Sequence, residues 1–124
     1  MKPLVSIIIT CFNYGRFLDE CIKSALGQTY EPIEVIVVND GSTDDTETVC
    51  RCFEGKILYR DQRNIGVVEA VNAGIRMSRG DFLYFLSADD KLFPDTIWKQ
   101  IEMMQVDDGC AVVCGNGKII NAKS

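Results

Sequence analysis

Two adjacent carboxylates, Asp89 and Asp90, close an apolar run in the stretch "FLYFLSADDKLFP" at residues 82–94, and no basic residue follows until Lys91. Like charges repel and resist burial, so this pair calls for something positive to meet it. The sequence contains no histidine. A general base must then be Asp or Glu, and a metal site must use oxygen or thiolate ligands. Two carboxylates without His suit a hard cation such as Mg²⁺ or Mn²⁺, which takes one or two protein carboxylates together with water and substrate phosphates. Zinc fits that set poorly. A diphosphate bridged to Asp89 through such a cation would be neutralised and stabilised as a leaving group.

Further polar residues gather after the other apolar runs. Thr10 and Asn13 follow the first, Asp40-Gly41-Ser42 the second, and Asn64 with Gly66 the third. Turn-forming chemistry explains each cluster taken singly, because Asn, Asp and Gly make loops. In open α/β sheets, however, ligands bind beyond the carboxyl ends of the strands, where all these clusters would share one rim. Asp40 offers a fixed carboxylate that can accept a hydrogen bond from a base N–H. No Gly-x-x-x-x-Gly-Lys loop and no Gly-x-Gly-x-x-Gly is present, so the signatures of P-loop kinases and dinucleotide dehydrogenases are missing. Six cysteines (Cys11, Cys21, Cys50, Cys52, Cys110 and Cys114) show no C-x-x-C spacing. They read as reduced thiols behaving as small apolar residues, rather than as metal ligands or disulfides.

The elements that must position these groups alternate along the chain. Residues 4–10 and "IEVIVV" are apolar and β-branched, and "KILYR", "DFLYFL" and "CAVVCG" read as third, fourth and fifth strands, with "KII" a short further one. Between them "RFLDECIKSALGQ" has helical spacing and Gly27 to end it, and "STDDTETVCRCF" opens with cap residues. Val67, Val68, Val71 and Ile75 mark one face of a helix closed by Arg79-Gly80, and Pro94 suits the first turn of another. Strands apolar throughout and alternating with helices predict an α/β class, three-layer α/β/α, with a mainly parallel open sheet covered on both faces. At 124 residues with no internal repeat or linker, one domain is expected.

With the motifs in view, "VSIIITCFNYGRFLDECIKSALGQTY", "IEVIVVNDGSTDDT" and "NIGVVEAVNAGIRMSRGDFLYFLSADDKLFP" resemble the family 2 glycosyltransferases over nearly the whole chain. The resemblance implies the GT-A fold with its Rossmann-like nucleotide-binding half. It implies an inverting transfer of sugar from a nucleotide-diphosphate donor (UDP-linked foremost, or GDP- or dTDP-linked) to an acceptor hydroxyl, with Mn²⁺ or Mg²⁺. The nucleotide-binding set would be Thr10, Cys11, Asn13, Asp40, Asn64, Gly66, Ser87 and Ala88, with Asp40 on the base. Asp89 would be the metal-coordinating carboxylate of the D-x-D element, with Asp90 beside the metal and the donor phosphates or sugar.

The chain departs from the family pattern at two positions. Ser87 stands where the first Asp of Asp-Ala-Asp-Asp is expected, adding no charge to the metal site, and Asn39 opens the usual Asp-Asp-Gly-Ser. The family's catalytic domain runs well past residue 124, and its second half carries the acceptor site and the general base. Residues 1–124 are then expected to be the N-terminal, nucleotide-sugar-binding part of a GT-A enzyme, with no catalytic base among them. The isolated chain is expected to self-associate or to be marginally stable. The acceptor would be a saccharide or lipid-linked species, used in building polysaccharide or cell envelope.

Two other readings remain beside this one: a non-catalytic nucleotide-sugar-binding module, and a sugar-phosphate nucleotidyltransferase. The latter should carry a Gly-rich basic loop soon after the first strand, and "CFNYGRF" is a poor candidate. The formal charge of −5, from 13 basic and 18 acidic side chains, argues against a nucleic-acid partner. The N-terminal apolar stretch is too short for a signal peptide, and no run reaches the roughly 20 apolar residues of a membrane span. The expected location is cytoplasmic, including a peripheral place at the inner face of the membrane.

Overall fold

The computed structural model describes residues 2–120. In chain order it holds β1 (Val5–Cys11), α1 (Gly15–Leu26), β2 (Ile33–Asp40), α2 (Thr46–Arg51), β3 (Leu58–Gln62), α3 (Val67–Met77), β4 (Phe82–Ser87) and α4 (Thr96–Val106). The strands form one sheet in the order β3-β2-β1-β4, every pair parallel. The α/β class and the parallel sheet are as the sequence predicts.

Period-two alternation along β1 and β2 sends successive side chains to opposite faces. Ile7, Ile9, Val35 and Val37 meet Leu18, Cys21 and Ile22 of α1, Cys50 of α2 and Ile97 and Ile101 of α4. Ile8, Ile36 and Val38 meet Ala70 and Ala73 of α3 on the other side. Helices on both faces make three layers. Each fully buried Ile or Val contributes about 1.5–3 kcal/mol, so the two central strands dominate the core. Cys11, Cys21 and Cys50 pack inside it as small apolar groups.

At the amino edge of the sheet, polar groups fasten the turn before β4. The buried Ser6 hydroxyl donates to Glu34 Oε1 at 2.6 Å and accepts from the Gly80 N–H at 2.9 Å. The Arg79 N–H donates to Glu34 Oε1 at 2.7 Å, and its guanidinium reaches Oε2 at 3.2 Å. Burial alone would raise the Glu34 carboxyl, but these donors outweigh it and hold it below the usual carboxylate range.

Five expectations are corrected. β4 is an edge strand rather than one covered on both faces: Leu83 and Phe85, on the α3 side, are 38% and 53% exposed. Both line a cleft shared with residues 111–115. The buried face of α3 is the small-residue stripe Ala70, Ala73 and Gly74, while Val67 and Val68 are exposed. Small side chains win because α3 lies too close to β1 for valine. The helix also closes at Ser78 rather than at Arg79-Gly80. Residues 110–115 and 118–120 form neither a fifth strand nor a further one. An apolar run becomes a strand only with a hydrogen-bonding neighbour, and this segment faces the free edge of β4 across a cleft of about 590 Å³. The third strand is displaced slightly, to Leu58–Gln62. Among the described residues no helix is long and apolar enough to cross a membrane.

Candidate functional site

Parallel pairing brings every strand's carboxyl end to one edge, and the register sets which residues meet there. Thr10 lies opposite Ser87, Cys11 opposite Asn39, and Asp40 opposite Gln62. The polar clusters after all four strands therefore form one rim, as their positions in the sequence suggest. Their side chains fall into two groups with different work.

The first group laces the loops together. Asn13 adopts a left-handed φ of 57°, which Asn tolerates better than most residues. Its N–H donates to Ser42 Oγ at 3.0 Å, and its Oδ1 accepts from the Thr43 N–H at 2.8 Å. Asp44 Oδ2 accepts from the Gly15 N–H at 2.9 Å, and Oδ1 accepts from the N–H and hydroxyl of Thr46. Burial would raise the Asp44 carboxyl, but these donors together carry it below its ordinary value. Asn39, 2% exposed, accepts from the Ser42 N–H at 3.0 Å and donates to the Tyr59 hydroxyl at 2.9 Å. Asp40, 5% exposed, accepts from Gln62 Nε2, the Ile65 N–H and the Gly66 N–H at 3.0–3.1 Å. The β1–α1, β2–α2 and β3–α3 loops are thereby one connected surface.

The second group faces outward. The Asp90 N–H donates to the Ser87 carbonyl at 3.0 Å, closing a turn that presents the exposed side chains of Ser87, Asp89 and Asp90. Ala88 is buried, and its N–H donates to the Thr10 carbonyl at 3.2 Å, extending the β1–β4 ladder into the turn. Cys21 Sγ donates to the Ser87 carbonyl at 3.5 Å from beneath. Ala88 and Cys11 (2% exposed) can thus meet a ligand only through their backbones. Burial pushes the Cys11 thiol up, so it stays neutral. Asn64 is exposed on the β3–α3 loop.

Lys91 is engaged by Glu20 of α1 at 3.1 Å, and no ion pair among the described residues reaches Asp89 or Asp90. Burial, and then the charge of Asp89, hold the Asp90 carboxyl above its ordinary value. Among the described residues no group of three or more His, Cys, Asp or Glu side chains is gathered for a metal. Two hard oxygens on an exposed turn do not make an all-protein cage, but they fit a hard cation completed by phosphate oxygens and water. A cleft of about 620 Å³ opens beside them, lined by Phe85, Leu92, Phe93 and residues 115–118.

Sequence reasoning missed Phe12, 45% exposed between Cys11 and Asn13 at the rim. An accessible aromatic there can stack on a planar ring, and its place directly after β1 is the signal that marks it. It also missed Asp44, whose bond to Gly15 spans 29 residues and has no local signature.

The chain is 42% identical over 124 residues to an uncharacterized glycosyltransferase of Rickettsia prowazekii, covering 99% of this chain and 39% of that protein. It is 32% identical to the glycosyltransferase GlyG of Streptococcus pneumoniae, covering 94% and 40% respectively. The chain spans between 16% and 40% of the length of the curated relatives it is compared with. The mannosyltransferase PcManGT of Pyrobaculum calidifontis, solved with GDP-Man and Mn²⁺, superposes with a TM-score of 0.75 at 22% identity, over 84% of this chain and 33% of that one. Residues 1–349 of S. aureus TarS, solved with UDP, superpose with a TM-score of 0.71 at 20% identity, over 92% and 38%. These two share the fold. The family model for Glycosyl transferase family 2 matches residues 6–124, and the chain belongs to that family.

Proposed function

We propose that this chain forms the donor-binding part of an inverting, hexosyltransferase-type enzyme, a single domain holding a nucleotide-diphosphate sugar, UDP-linked foremost, across the carboxyl-edge rim. The observation that carries the reading is the Asp89–Asp90 pair on the exposed turn that follows Ser87, the residue opposite Thr10. Asp89 and Asp90 would hold Mn²⁺ or Mg²⁺, which supplies charge neutralisation of the departing diphosphate. Ser87 faces the same space with a hydroxyl that can bond ribose or water. Thr10, Phe12, Asn13, Asn64 and Gly66 line the nucleotide's path, with Phe12 able to stack on the base. The donor complexes of TarS with UDP and UDP-GlcNAc, and of PcManGT with GDP-Man and Mn²⁺, support a nucleotide-sugar ligand on this fold.

No acidic residue follows Asp108. We assign the general base and the site for a saccharide or lipid-linked acceptor to regions of the longer relatives beyond the matched part, and the product to polysaccharide or cell-envelope synthesis at the cytoplasmic face. Ser87 in place of a third carboxylate favours one second reading, a nucleotide-sugar-binding module without transfer. Calorimetric titration with UDP, GDP and dTDP, with and without Mn²⁺, tests the donor site. One nucleotide should bind with metal dependence, and Asp89→Asn should lose that dependence. A folded chain that binds no nucleotide under either condition defeats the proposal.

A further inference from the structure

The loop that carries Asp89 and Asp90 is gripped along its length by one row of α1. Residues 88–95 join β4 to α4 without helix or strand, so their backbone polar groups need partners from elsewhere. Glu20, Ser24 and Gln28 stand four residues apart, with Cys21 beside them, and so share one face of α1 and of its continuation past Gly27. That row meets the loop step by step. Cys21 Sγ donates to the Ser87 carbonyl at 3.5 Å, Glu20 pairs with Lys91 at 3.1 Å, and Ser24 Oγ accepts from the Leu92 N–H at 3.0 Å. Gln28 Nε2 donates to the Phe93 carbonyl at 2.7 Å, and the Thr29 N–H to the Pro94 carbonyl at 2.9 Å.

The weight falls on Ser24 and Gln28. The Glu20–Lys91 pair is open to solvent, where such pairs contribute little. Gln28 is 7% exposed and its amide is used further: Nε2 also donates to the Ser24 carbonyl at 3.1 Å, and Oε1 accepts from the Ile97 N–H at 3.0 Å. Ile97 lies in the first turn of α4, whose own N-cap residue, Asp95, makes no side-chain cap bond. Gln28 thus caps α4 from a distant part of the chain. Only a side-chain amide offers two N–H donors on one atom together with an acceptor, and Asn is one methylene shorter. We infer that Gln28 and Ser24 are positioning residues for the metal: acting through Leu92, Phe93 and Ile97, they hold the β4–α4 loop in the conformation that turns Asp89 and Asp90 outward together. The inference rests on the donor-site reading for the cation itself. Two like charges side by side repel, so a turn that keeps them adjacent needs an outside hold, and α1 supplies it.

The test uses the full chain with UDP and Mn²⁺, reading free Mn²⁺ by electron paramagnetic resonance. Gln28→Met keeps the length of the side chain and removes its hydrogen bonds to Ser24, Phe93 and Ile97. Without metal, the Ile97 amide should exchange on the order of tenfold faster, the loss of one hydrogen bond, and the amide signals of Asp89, Asp90 and Lys91 should shift. With UDP, Mn²⁺ affinity should fall roughly tenfold, the low end of what losing an outer partner costs a metal site. Ile36→Val, a cavity on the α3 face of the sheet, destabilises without touching the row and should leave Mn²⁺ affinity as it is. An equal loss in Ile36→Val, or an unchanged Mn²⁺ affinity in Gln28→Met, overturns the inference. Should Gln28→Met fail to fold, Ser24→Ala decides: faster Leu92 exchange with weaker Mn²⁺ binding is expected, and undiminished binding overturns it. If the wild type takes up no Mn²⁺ with UDP, the donor-site reading fails. The amide signals of Asp89 and Asp90 then decide alone, a shift in the variants upholding the grip of α1 on the turn and no shift overturning it.

Discussion

Replacing Gly74 by alanine sets two effects of opposite sign against each other. Gly74 lies inside α3, where alanine is better than glycine by about 0.8–1.0 kcal/mol from helix propensity alone. Packing opposes the gain. The new Cβ would stand 2.4 Å from Ile8 Cγ2 and 3.5 Å from Ile8 Cβ, whereas carbons rest about 3.5–4.0 Å apart. Ile8 is 1% exposed and β-branched, so its Cγ2 cannot swing clear without leaving its preferred rotamer. Overpacking of this kind costs about 1–3 kcal/mol, and an overlap of more than an ångström belongs at the upper end. Gly74→Ala should therefore destabilise the chain by about 1–2 kcal/mol net. Urea unfolding of the wild type, Gly74→Ala, Ile8→Ala and the double variant makes the cycle. In the Ile8→Ala background the clash is gone and Gly74→Ala should become stabilising by the propensity amount. A single Gly74→Ala variant more stable than wild type would refute the close approach of α3 to β1.

Glu34 should make stability acid-sensitive. Its carboxyl is lowered in the folded chain, so its contribution is present above the ordinary glutamate value of about 4.3 and is lost as pH falls through the lower folded value. Glu34→Gln should cost about 1–2 kcal/mol near neutral pH and little in acid, seen as urea-unfolding curves that converge as pH drops; a constant difference across that range contradicts it. The free edge of β4, with Leu83 and Phe85 exposed, should let two copies associate. Sedimentation velocity should show a concentration-dependent species that Phe85→Lys removes, and a wild type monomeric at all concentrations would argue otherwise. Phe12→Ala should weaken nucleotide binding roughly tenfold, the loss of one stacking contact, with the metal dependence retained; unchanged affinity would take Phe12 out of the site.

How much was legible depended on whether a signal was local. β1 and β2 announce themselves because central strands of a parallel sheet are buried on both faces and read as unbroken apolar runs. β4 carries the same kind of run yet lies at the edge, because strand order is fixed by which strands pair and not by composition. The valines of α3 misled for a related reason. Amphipathic spacing finds an apolar stripe, but the sheet selected Ala70, Ala73 and Gly74, whose small size allows close packing. Residues 110–115 look like a strand but stand across a cleft from the free edge of β4 and do not pair with it. At the site, the polar residues and their common rim could be read from their positions after successive strands. Which of them hold loops and which face outward could not, since Asn13 with Thr43, Asp44 with Gly15 and Asp40 with Gly66 join residues 26–30 positions apart.

Paramagnetic broadening by Mn²⁺, followed residue by residue in the amide spectrum, tests the donor site most directly. With UDP present, substoichiometric Mn²⁺ should broaden the amides of Ser87 through Lys91 first and reach Thr10 and Phe12 across the rim, and Asp89→Asn should abolish the effect. Broadening centred on another acidic stretch, such as Asp107 and Asp108, or a pattern indifferent to both UDP and Asp89→Asn, would contradict a metal-assisted donor site at the end of β4.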